Sequence, residues 1–391
     1  MRQAAPPRNN FSFVLVVASL LIVVRHSAIL LGADAATGQL ISPPFGVFAL
    51  FAASGYLVVP SWQRRPKLGR YVTDRVARLL PGLFATVILT ICIVGALATT
   101  LPLREYFSDP LTRRYLLNLL LNPQYSLPGV FVDNPVSSAV NGTLWSLPAQ
   151  FAAYLAVPLV ALLPSRWVRG IGWIAMAVVA AWGSGLESSS EVVFWGSQLS
   201  QWLTVLPCFF VGAAVRELMP KPHALIGPIG LVVVVMVAIL APQWSMVANW
   251  SLVPLATIAI GAAATPVLRD FGRWGTPSYG VFLVGFPVQQ FLIAGFGIDH
   301  AWVSMVATVL ISLLLAFASL RLVEAPALTF VHRWTRPSNA APEPNRTVVP
   351  SAEADAEADA DAGAGGAEAG AGPLAPTSHT PSMDDARSAA T

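Results

Sequence analysis

Charge is what this sequence has least of. Asp, Glu, Lys and Arg together make up 11% of its 391 residues, where an average soluble domain carries about 25%. A chain this poor in charge has no basic surface to track nucleic acid and no solvated shell for a soluble fold. Cysteine is also scarce: Cys92 and Cys208 both sit inside apolar runs, which excludes a disulfide framework and a cysteine metal site. No histidine, cysteine or acidic cluster has metal-ligand spacing, so no metal is expected. Hydrophobic residues fill the space instead, at 55% of the chain with a mean hydropathy of +0.64. This is the composition of a polytopic membrane protein.

Ten apolar runs follow one another, at about 13–31, 44–61, 81–101, 143–163, 168–186, 198–216, 224–241, 250–268, 277–297 and 301–323. Each approaches the ~20 residues that a helix needs to cross ~30 Å of hydrocarbon. The fold class expected is all-α: a transmembrane bundle of about ten spans over residues 1–336. The second run is the weakest, being rich in small residues and proline. With the N-terminus inside, the inner segments hold sixteen Lys and Arg, and the outer ones hold only Arg104, Arg113 and Arg114. This positive-inside pattern puts both termini in the cytoplasm of a multi-pass cell-membrane protein. Residues 337–391 form an acidic, low-complexity tail without aromatics, expected to be disordered. Arg2, Arg8, the first run and "GADAA" resemble a secretory signal, but Arg25 and His26 interrupt its apolar region, so the run is expected to stay as a span.

Four stretches carry polar groups where a plain span would not. "LLIVVRHSAILL" (20–31) places Arg25 and His26 in an apolar helix, where a central charge costs about 2.5–3.5 kcal/mol. "RRPKLGRYVTDRVARLLP" (64–81) is the densest basic stretch, with Arg75 and Arg78 on one helical face. Its plain reading is a topology anchor touching anionic lipid; the sharper one is a fork for a phosphate-bearing cytoplasmic ligand, joined by Arg70. "NGTLWSLPAQFAAYLAVPL" (141–159) opens the fourth run with Asn141, Trp145, Gln150 and Tyr154. Trp and Tyr suit interfacial anchoring, whereas Gln150 needs partners and so should face the bundle interior. "PSYGVFLVGFPVQQF" (277–291) carries Pro287, which frees a backbone group that must be satisfied inside protein, together with Gln289 and Gln290. In "LRLVEAPAL" (320–328), Glu324 is expected to pair locally with Arg321.

Together these pieces resemble the membrane-bound acyltransferase 3 family of bacterial O-acyltransferases. The resemblance rests on the first-span His-Ser pair, "FAASGYLV" (51–58), "RVARLLP" (75–81), "NGTLWSLPAQFAAYL", "SYGVFLVGFPVQQ" and "LVEAP", and spans residues 10–330. It implies a bundle of about ten helices, His26 as the catalytic residue, and Arg75 and Arg78 as holders of the acyl donor. The sequence departs from the family at three positions. Many members have arginine where Leu15 stands, glutamate at Gln150, and histidine in a "YLxHxP" element that here reads "FLVGFP" with Gly285.

The function expected is transfer of an acyl group, in the first instance acetyl, from cytoplasmic acyl-CoA to a hydroxyl of an extracytoplasmic saccharide, lipid-linked glycan or metabolite. A helix starting near Phe13 and rising ~1.5 Å per residue puts His26 roughly 20 Å up, beyond the bilayer midplane. There it can act as general base, with Arg25, Gln150 or Asn141 donating to the oxyanion. An exporter or proton-coupled carrier, and a catalytically degenerate relative, are the alternative readings.

Overall fold

A computed structural model describes residues 9–31, 44–137, 139–186 and 192–335. The expected disordered tail and the "GADAA" segment lie outside the described residues. Each of the ten apolar runs carries a helix. In chain order the main α-helices, those of the ten runs and three more, are α1 (Phe11–Leu30), α2 (Phe45–Arg64), α3 (Leu68–Leu89), the short α4 (Leu103–Ser108) and α5 (Pro110–Arg114), α6 (Ser146–Val160), α7 (Arg166–Leu186), α8 (Leu199–Leu218), α9 (Ile226–Leu240), α10 (Ser245–Ala262), α11 (Ser278–Phe296), α12 (Ala301–Ser319) and α13 (Ala325–Thr335), of which α4, α5 and α13 lie outside the runs. Among the described residues, eight helical segments are long and apolar enough to cross a membrane. The other two apolar helices, α6 and α9, have 15 residues each. At ~1.5 Å per residue they reach about 22 Å, short of the hydrocarbon core. The all-α expectation has one small exception: Val193–Phe194 pairs antiparallel with Ser197–Gln198. Trp195 and Gly196 make the turn at positive φ, the geometry favoured in tight hairpins.

The run that looked weakest forms the middle of the bundle. α2 packs against α1, α6, α8 and α10, and its small residues are the reason. A Cβ on Gly55 would clash with the Phe209 carbonyl in α8, and one on Gly212 of α8 with the Ala52 carbonyl of α2. The two backbones therefore touch at reciprocal glycines, as helices do in lipid where close packing replaces the hydrophobic drive.

The basic stretch is not a loop. Tyr71, Arg75 and Arg78 lie in the first turns of α3, which runs on through Pro81, so the third span starts some thirteen residues earlier than hydropathy suggested. α3 then widens into a π-helical segment at Thr90–Gly95. The following loop folds back onto it. Tyr106 is fully buried and donates from its hydroxyl to the Ile91 carbonyl (2.9 Å).

Ends that the charge count assigns to one side do meet. Arg169, near the start of α7, forms an ion pair with Glu217, near the end of α8 (2.9 Å), and Gln63 at the end of α2 donates to the same carboxylate (2.8 Å).

Candidate active site

Among the described residues, one cavity lies near the start of α3 and another around the far half of α1. The first has a volume of about 140 Å³ and is lined by Arg75, Arg78, Tyr154, Gln150, Tyr279 and Glu324, with Leu15 in its wall. Arg75 is buried, its guanidinium 5.6 Å from the Tyr71 ring centroid and 5.9 Å from that of Tyr154. The aromatic faces stabilise the cation electrostatically in a site that offers little water. The scaffold under it is also specified. Pro158 lacks the N–H that would bond the Tyr154 carbonyl, and the Tyr71 hydroxyl donates to that carbonyl instead (2.9 Å). Arg70 is half-buried and lines neither cavity.

Glu324 does not form the expected pair with Arg321. A π-helical turn over Leu320–Glu324 rotates the two residues apart. Arg321 is exposed, while Glu324 is buried, accepts from the Ser319 hydroxyl (2.8 Å) and faces the arginine cavity.

The second cavity, about 540 Å³, holds His26 and Arg25 together with Thr143, Trp145 and Ser146. Arg25 thus lines the pocket that contains the histidine. The His26 ring meets Phe286 edge-on at 5.0 Å, and its Nδ1 is buried without a hydrogen-bond partner. The remaining wall carries Ser184, Ser200, Gln201 and Thr204. Val47, Ser146 and Phe282 line both cavities. The arginine pair and the histidine therefore line two adjoining spaces that share a wall.

The segment "NGT" explains how that wall is held. Pro287 takes away the N–H that would close on the Leu283 carbonyl, and Asn141 Nδ2 donates to that carbonyl (2.9 Å). Asn141 Oδ1 accepts from the Thr143 backbone (3.1 Å) and from its hydroxyl (2.7 Å), fixing Thr143 in the histidine cavity. Gly142 leaves room for Phe286, whose ring would lie 2.7 Å from an added Cβ. Asn141 is fully buried, lines neither cavity and is satisfied at both ends of its amide, so its place is behind the wall and not at a reacting oxygen. Asn141→Ala should leave a buried carbonyl unpaired, at a cost of about 1–3 kcal/mol. Pro287→Ala restores the missing N–H, so the double variant should recover most of the loss. Thermal unfolding of the four purified proteins in detergent measures both effects.

The other candidates also fall into place. Gln150 Nε2 donates to the hydroxyls of Ser54 (2.9 Å) and Tyr154 (2.7 Å). It faces the bundle interior as expected. Gln289 bonds the Val23 carbonyl (3.0 Å) and the Ser27 hydroxyl, tying α11 to α1 beside His26. Gln290 donates to the Val136 and Ala139 carbonyls and accepts from Asn134 (2.8 Å), stapling the long loop over α11. At Gly285, an added Cβ would lie 2.9 Å from the Val23 side chain, so α1 and α11 are in close contact there. Leu15 sits in an apolar cluster with Phe11 and Tyr56. Both departures at Leu15 and Gln150 line the arginine cavity, one apolar and one neutral, so neither leaves a lone buried charge behind.

These features describe a polytopic membrane enzyme with an intramembrane histidine. A family model described as an acyltransferase domain matches residues 14–321. The chain belongs to the membrane-bound acyltransferase 3 family and is an acyltransferase. It is 26% identical over 342 residues to an O-acetyl transferase of Shigella phage Sf6, covering 82% of this chain and 96% of the relative. It is 28% identical over 191 residues to Nodulation protein 10 of Rhizobium leguminosarum bv. viciae, covering 45% and 50% respectively. No solved structure matches the chain.

Proposed function

We propose that the protein transfers an acetyl group from cytoplasmic acetyl-CoA to a hydroxyl on the far side of the cell membrane. The observation that carries this reading is the shared wall between the two cavities. The sixteen-to-three distribution of basic residues supports ten spans with both termini in the cytoplasm. The arginine cavity then opens toward the donor's compartment and the histidine cavity toward the other. α6 supports a route between them: Tyr154, Gln150 and Ser146 recur every fourth residue along one face, from the Arg75 guanidinium to the shared wall.

In this reading Arg75 and Arg78 hold phosphates of the donor, and the pantetheine arm lies along the polar face of α6. Neutral His26 takes the proton of the acceptor hydroxyl as its oxygen attacks the thioester carbonyl carbon. The C–S bond breaks, and the proton passes to the leaving thiolate. Thr143, Ser184, Ser200, Gln201, Thr204 and Trp145 give the histidine cavity neutral hydrogen-bonding groups and an aromatic face. With Arg25 in the same wall, that lining suits a hydroxyl-rich acceptor such as a saccharide, free or lipid-linked. The test is incorporation of label from radiolabelled acetyl-CoA by membranes with and without the protein, with mass spectrometry of envelope glycans and lipids. An acetyl-dependent mass shift that requires the protein is expected; its absence, with substrate flux that needs no acyl donor, would overturn the reading in favour of a carrier.

A further inference from the structure

Ser146 lies where the two cavities adjoin. Of the three residues that line both, Val47 and Phe282 are apolar, so Ser146 brings the one polar side chain to the shared wall. It is buried. Its hydroxyl donates to the Thr143 carbonyl at 3.3 Å, well beyond the 2.7–2.8 Å usual for an O–H···O bond. Such a bond is weak, and the hydroxyl can turn to a better acceptor at little cost. Ser146 is also the first residue of α6, so the positive end of the helix dipole falls at the same place. Behind it, the chain from the Leu283 carbonyl through Asn141 and Thr143 fixes the backbone that carries the hydroxyl.

We propose that Ser146 is a catalytic residue of the transfer reaction, donating its hydroxyl hydrogen bond to the carbonyl oxygen of the acyl thioester at the shared wall. The inference rests on the donor and acceptor cavities proposed above. A donor entering from the arginine side presents its carbonyl at the wall, and the acceptor oxygen arrives from the histidine side. As the acceptor oxygen bonds to the carbonyl carbon, negative charge collects on the carbonyl oxygen. The Ser146 O–H and the helix dipole stabilise that charge where it develops. The charge returns to the carbon as the C–S bond breaks, and Ser146 keeps its own proton throughout.

The experiment titrates radiolabelled acetyl-CoA against membranes that carry the wild-type chain or one of three variants. Ser146→Ala should lower the maximal rate by about 10²-fold or more and leave the acetyl-CoA KM unchanged. Ser146→Cys keeps the size of the side chain but is a poor donor and should be nearly as slow. Ser146→Thr retains the hydroxyl and should keep most of the rate. A Ser146→Ala rate within twofold of wild type, a Ser146→Cys rate equal to wild type, or an acetyl adduct trapped on Ser146 would each overturn the assignment. If the wild-type membranes show no labelling, the proposed function fails rather than the role of Ser146.

Discussion

Replacing His26 with alanine should reduce acetyl transfer in membranes by about 10²–10⁴-fold, the usual contribution of a histidine general base, with little change in the KM for acetyl-CoA. The two halves of this expectation come from different cavities. His26 lines the larger one, and the arginines line the other, so loss of the imidazole leaves the donor contacts in place. Its ring packs edge-on against Phe286, and that contact gives a control. His26→Phe refills the ring's volume without a base and should be as slow as His26→Ala. If the alanine variant alone is slow, the ring has a packing role and not a chemical one. Undiminished transfer by either variant would remove His26 from the mechanism. Arg25 lines the same cavity, although a helical step of 100° separates it from His26. The cavity is wide enough to be lined by both.

The helices were legible because hydropathy reports what a bilayer demands of a segment, whatever its neighbours. Their edges were less legible. α3 starts before its apolar run, where Arg75 is covered by the rings of Tyr71 and Tyr154, and no local pattern announces that cover. The site was readable in part. His26, Gln150 and the arginine pair stood out as polar groups in apolar surroundings. Ser146 did not, because a serine beside Trp145 reads as an ordinary helix start. Its signal was the spacing of four from Gln150, repeated to Tyr154, a stripe visible only once Gln150 is known to face inward. Glu324 was misread for a different reason. Three residues on a regular α-helix bring Arg321 and Glu324 to one face, and the π-helical turn that separates them has no sequence signature. Asn141 looked like a donor to the reaction because it is a polar amide at the start of the fourth apolar run. Its partner, the carbonyl freed by Pro287, lies 142 residues further along the chain and could not be paired with it by pattern alone.

Arg75→Ala should raise the KM for acetyl-CoA by about 10–100-fold, as expected from losing a hydrogen bond to a charged group worth about 1.5–3 kcal/mol, with a smaller effect on the rate at saturation. Among the described residues Arg75 Nε has no hydrogen-bond partner, and the guanidinium is held by aromatic faces instead. Its donors are therefore positioned but not consumed, which is the state a phosphate site requires. Arg75→Lys keeps the charge but loses the planar stacking and the forked donors, so it should fall between wild type and alanine. Arg70→Ala changes a residue outside both cavities and should stay within about twofold of wild type, since its charge does not face the donor. A second donor separates phosphate binding from general damage to the fold. S-acetyl-pantetheine carries the thioester but none of the nucleotide phosphates. Wild type should strongly prefer acetyl-CoA over it, and Arg75→Ala should lose most of that preference by weakening only the phosphate-bearing donor. Equal losses with both donors would mean that Arg75 supports α3 and the Tyr154 carbonyl contact, and that the phosphates are held elsewhere.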